Sequence, residues 1–111
     1  MLITAIIFFA IAAMLGMYLL SFVLQNQNTP KGVAFTHGPM AATGLVILIV
    51  YAILHKPAPI ISIIIFIMAA MGGVMLILKD LMGKPIPKWM AIGHGVTAVI
   101  GFIFLLVFTF S

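Results

Sequence analysis

Residues 30–44 read PKGVAFTHGPMAATG, and residues 87–101 read PKWMAIGHGVTAVIG. Both follow the pattern P-K-x5-H-G-x2-A-x2-G, 57 positions apart. Extended outward, the same register aligns residues 1–54 with 58–111 without a gap, about a third of the positions being identical. In the first apolar stretch of each copy the matches include Ile3/Ile60, Phe9/Phe66, Ala12/Ala69, Met14/Met71, Gly16/Gly73 and Leu19/Leu76. In the second they include Pro30/Pro87, Lys31/Lys88, His37/His94, Gly38/Gly95, Ala41/Ala98 and Gly44/Gly101. Shared greasiness does not place Pro, Lys and His in register. Duplication of a two-segment unit does.

The segments themselves are membrane spans. The chain is 66% hydrophobic and 5% charged, with a mean hydropathy of +1.44, too little polar surface to coat a soluble globule. In hydrocarbon the backbone must satisfy its own hydrogen bonds, so long apolar runs become helices of roughly 20 residues. Four such runs, at about 2–24, 30–55, 58–79 and 87–110, are divided by QNQNTPK, HKPAP and KDLMGKPIPK. Pro30 and Pro87 read as helix starts, since the first helical position does not use its N–H. The predicted fold is an all-α membrane protein, a single domain over 1–111. It is a four-transmembrane-helix bundle built from two parallel two-helix repeats (1–54 and 58–111) about a pseudo-two-fold along the membrane normal.

Each repeat crosses twice, so His37 and His94 are expected at one depth, about two turns inside from Lys31 and Lys88. The 1–2 and 3–4 loops share a face holding Lys31, Lys79, Lys84 and Lys88, against Lys56 on the other. The positive-inside rule makes that face cytoplasmic and puts both termini outside, in a multi-pass protein of a bacterial inner membrane. No lysine or arginine precedes Lys31, so the first stretch reads as a retained helix rather than a signal peptide. The net charge of +4 suits loops facing anionic lipid headgroups and not a nucleic-acid surface.

An ionisable side chain in hydrocarbon is costly and turns to the bundle interior. Two symmetry-matched histidines suggest one shared ligand. His37 lies above Ala41 and Gly44 on its helix, and His94 above Ala98 and Gly101, leaving strips nearly bare of side chains that a helix or a flat macrocycle can approach. With no cysteine, thiolate sites and covalent haem attachment are excluded. The expected cofactor is one haem b per chain with His37 and His94 as axial ligands. Gly38 and Gly95 border the histidines, and Lys31, Lys88, Trp89 and Tyr18 are placed to meet the propionates. Met14 and Met71, with Met17 and Met75, are expected against the ring edge. Pro39, replaced by Val96 in the second copy, is expected to kink helix two just beyond His37.

Three other readings compete. Nine methionines beside two histidines admit a copper or other soft-metal carrier. The histidines can be structural, bonding one another or a backbone carbonyl. A small transporter lacks an embedded carboxylate, because the only acid, Asp80, reads as a loop charge near Lys79 and Lys84. His55 reads as an interfacial residue ending helix two. Nothing resembles a nucleophile–base pair or phosphate loop, so no self-contained enzyme is expected.

The paired segments FTHGPMAATG and AIGHGVTAVIG resemble those of membrane b-type cytochromes of the cytochrome b561-like, four-helix kind. That resemblance implies haem and electron transfer with a quinol, ascorbate or a redox partner protein. Those cytochromes generally carry two haems on four histidines, whereas only two histidines here stand in ligand positions. A single haem near one face fits haem handling, sensing or a relay in a larger complex, and the small-residue faces also allow a homo-oligomer.

Overall fold

The computed structural model describes residues 1–111 as four helices and no strands: α1 (Leu2–Leu24), α2 (Lys31–Leu54), α3 (Ile60–Leu81) and α4 (Lys88–Phe110). The helices hold 22 to 24 residues each and are long and apolar enough to cross a membrane. At 1.5 Å per residue each spans about 35 Å, against a hydrocarbon core of about 30 Å. The expected boundaries hold to within two residues.

Local chemistry sets the ends. Pro30 and Pro87 cap α2 and α4 from just outside, their carbonyls accepting from Ala34 and Ala91 at 3.1 Å. The expectation of proline inside the first turn is off by one residue. α1 and α3 finish in the same turn: Asn26 (φ 57°) and Gly83 (φ 70°) are left-handed, and Gln27 and Lys84 donate back to Phe22 and Lys79 at 2.9 Å. This Schellman geometry favours glycine and tolerates asparagine. Asn26 and Gly83 are themselves 57 residues apart.

Within the spans, Thr36, Thr43, Thr97 and Thr109 each donate to the carbonyl four residues earlier at 2.7–2.8 Å, which satisfies hydroxyls that lipid cannot. α2 continues without interruption through Pro39.

Each helix packs on two neighbours, α1 and α3 both touching α2 and α4, so α1/α3 and α2/α4 are the diagonals. Across the first diagonal Phe9 and Phe66 stack at 4.0 Å with planes 5° apart. Gly44 and Gly101 back onto those rings, and a Cβ on either would lie 3.2 Å from ring carbons. The core cluster of Ala5, Phe9, Leu48, Ala52, Ile63, Phe66 and Leu105 fills the end of the bundle away from the 1–2 and 3–4 loops. On the loop side of the phenylalanines only Ala12, Ala69, Ala91 and Thr29 are buried, all small. The large buried side chains are thus confined to the far half of the bundle.

Candidate functional site

His37 and His94 face each other across the second diagonal, in the loop-side half. Their ring centroids are 6.1 Å apart and their planes are nearly perpendicular, at 87°. Each ring is held from a neighbouring helix. His37 Nδ1 lies 2.8 Å from the carbonyl oxygen of Ala12, and His94 Nδ1 lies 2.8 Å from that of Ala69. A carbonyl only accepts, so both Nδ1 atoms carry the proton and, in the neutral rings, both Nε2 atoms carry lone pairs. Neither Nε2 has a protein partner, and neither is sealed from its surroundings.

Glycines on α1 and α3 make these contacts possible. A Cβ on Gly16 would sit 2.9 Å from His37 Cε1, and one on Gly73 would sit 3.0 Å from His94 Cε1; Gly72 also borders His94. Phe9 lies seven residues before Gly16, so the aromatic stack floors this layer about 10 Å deeper. Phe9, Ala12, Gly16, His37 and Gly44 thus form one constellation, and Phe66, Ala69, Gly73, His94 and Gly101 form its counterpart 57 residues on.

The other expected site residues divide. Half-buried Ala41 and Ala98 stand one helical turn below the histidines. Gly44 and Gly101 are covered by Phe9 and Phe66, so at that level the bare strip serves helix packing. A Cβ on Gly38 or Gly95 would have nothing within 4 Å beyond its own chain neighbours and helix backbone. Met14 and Met71 do not reach the rings: they are 72% and 64% exposed on outer faces, two residues and about 200° round the helix from Ala12 and Ala69. Met17, Met75, Tyr18 and Trp89 are also outward.

Asp80 is likewise corrected. It belongs to the last turn of α3, because the helix runs two residues past its expected end. Its carboxylate accepts from Thr29 Oγ1 and, at 2.6 Å, from Lys31 Nζ, which also donates to Thr29 at 3.0 Å. Lys31 is therefore engaged with Asp80, while Lys88 is exposed and forms no ion pair. His55 ends α2 as expected, stacked on Tyr51 at 4.5 Å.

The backbone-carbonyl bond that the structural reading of the histidines anticipates is present on both rings, but the sequence did not single out Ala12 and Ala69 as its acceptors, nor Gly16 and Gly73 as the residues that clear its path. No group of three or more His, Cys, Asp or Glu side chains converges anywhere in the chain, so the histidine pair stands without a third such ligand. No protein-family model, curated protein or solved structure matches the chain.

Proposed function

We propose that His37 and His94 are the two axial ligands of one haem b, held between α2 and α4 in the loop-side half of the bundle. The observation that carries this reading is the pair of free Nε2 lone pairs on rings whose Nδ1 atoms are both committed to backbone carbonyls. Metal-binding histidines usually donate their other N–H in this way, which fixes the tautomer and raises ligand basicity. The spacing is also suitable. Two imidazoles that would share one ligand need their ring centroids close together. Here they are 6.1 Å apart.

The surroundings fit a flat apolar group. Gly16, Gly72 and Gly73 present no side chains at the level of the rings, Ala41 and Ala98 line the layer below, and Phe9 and Phe66 close it. No cysteine is needed for a noncovalent haem with two protein ligands. Bound haem supplies one-electron chemistry. The chain's own part is to hold both imidazoles in a fixed orientation through the Ala12 and Ala69 carbonyls. Exposed Lys88 is the free cation for a propionate, since Lys31 is shared with Asp80.

The protein then acts in electron transfer or in haem handling and sensing, as the resemblance to b-type cytochromes suggests, with a quinol or a redox protein as partner. We place it in a bacterial inner membrane with the lysine-bearing loops cytoplasmic. A two-coordinate soft ion such as copper(I) is the second reading, favoured by the same 6.1 Å separation and the lack of a third ligand. Purification with haem supplied, followed by visible spectroscopy and metal analysis, separates them. A Soret band lost in both His37→Ala and His94→Ala supports haem. Absence of a Soret band, or its survival unchanged in either variant, overturns it, and stoichiometric copper in its place supports the second reading.

A further inference from the structure

The α2–α3 and α4–α1 seams are counterparts under the 57-residue shift, yet they are built differently. At the loop end of the α2–α3 seam, Asn28, Thr29, Lys31, Asp80, Gly83 and Lys84 line a polar hollow of about 630 Å³. Further along the same seam, Leu45, Ile67, Ala70, Met71, Val74 and Met75 line a purely apolar groove of about 410 Å³ that opens sideways. The other seam has Val23 in place of Asp80, Ile86 in place of Thr29 and Gln27 in place of Lys84. It has Phe102 where the groove has Leu45, and Tyr18 where the groove has Met75. The duplication therefore keeps the histidine layer and diverges along one seam, at both its polar and its apolar end.

Charge and length describe the occupant. Asp80 is taken up by Lys31 and Thr29, and Lys84 has no acidic partner, so the hollow keeps one uncompensated positive charge. Met75, at the end of the groove, is five residues from Asp80, about 8 Å along α3, a distance that a glycerol backbone bridges. A cationic hollow at the membrane face followed by an apolar groove within the bilayer fits an amphiphile with a single negative charge.

We propose that the α2–α3 seam binds one anionic glycerophospholipid, with its phosphate at Lys84 beside the Lys31–Asp80 pair and an acyl chain in the groove floored by Ala70. The site is independent of what lies between the histidines.

The test is native mass spectrometry of the full chain, released in mild detergent from phosphatidylcholine vesicles containing a minority of phosphatidylglycerol. The expected result is a one-to-one adduct enriched several-fold in phosphatidylglycerol over its share of the vesicle. Lys84→Gln removes the enrichment, whereas Lys88→Gln, in the other seam, leaves it intact. Leu45→Phe, which installs the residue found at the equivalent position 102, reduces the adduct several-fold, and circular dichroism checks that the variants stay helical. Retention at the vesicle ratio, enrichment that survives Lys84→Gln, or equal loss in Lys88→Gln overturns the proposal.

Discussion

His37 donates from Nδ1 to the carbonyl oxygen of Ala12 across 2.8 Å, and Gly16, one turn further along α1, has no side chain to block that approach. In a helix the Cβ of residue i+4 leans back over the turn that contains residue i. A glycine at i+4 therefore opens a carbonyl to a partner from outside the helix. His94, Ala69 and Gly73 repeat the arrangement.

Gly16→Ala and Gly73→Ala should each push a histidine off its carbonyl, because the new methyl would lie 2.9 or 3.0 Å from Cε1. The expected loss is roughly 10–100-fold in affinity for the proposed haem, the usual cost of disturbing a ligand's supporting hydrogen bond. Haem titration followed at the Soret band measures it. Gly38→Ala and Gly95→Ala meet open space and should leave that affinity unchanged while stabilising their helices by about 0.5–1 kcal/mol.

Phe9→Ala and Phe66→Ala should each cost about 3–5 kcal/mol, since both rings are buried and stacked on one another. Gly44→Ala and Gly101→Ala overpack the same level and should cost about 1–3 kcal/mol. Reversible unfolding in mixed detergent micelles reads these values. A loss below about 1 kcal/mol for both phenylalanine variants would contradict the core assignment.

The clasp at the loop end should respond unequally to its two halves. The Asp80 side chain is only 14% exposed, against 43% for Lys31. Lys31→Met strands a part-buried carboxylate with Thr29 alone, whereas Asp80→Asn frees a lysine that can return to water. Lys31→Met is therefore expected to destabilise by about 1–3 kcal/mol and Asp80→Asn by less. Thermal unfolding of the two variants gives the order.

Met14→Leu combined with Met71→Leu should alter neither the visible spectrum nor the stability by a measurable amount, because both side chains lie on outer faces. A shifted Soret band in the double variant would place the thioethers at the site after all.

The spans were readable because hydropathy and proline positions mark where backbone leaves the bilayer, and the histidine pair because buried imidazoles are rare in apolar helices. The supporting bonds were not readable in the same way, since Ala12 and Ala69 contribute carbonyl oxygens that any residue possesses. A signal existed nonetheless: Phe9, Ala12 and Gly16 recur together as Phe66, Ala69 and Gly73, and residues retained on one inward stripe share a contact. Met14 and Met71 recur too, but their angle on the helix wheel turns them outward, which spacing alone reveals. Asp80 was misjudged through a boundary set two residues short, enough to move a helical side chain into a loop.

The uneven filling of the bundle makes the two ends of each helix mechanically different. Leu48, Leu105 and the paired phenyl rings hold the far end, while the residues buried at the loop end are all small. Amide hydrogen exchange should then run as a gradient along each span, slow around Leu48 and Leu105 and fast around Ala34 and Ala91. A ligand held between the histidines, as proposed, would complete the interior of that end and flatten the gradient.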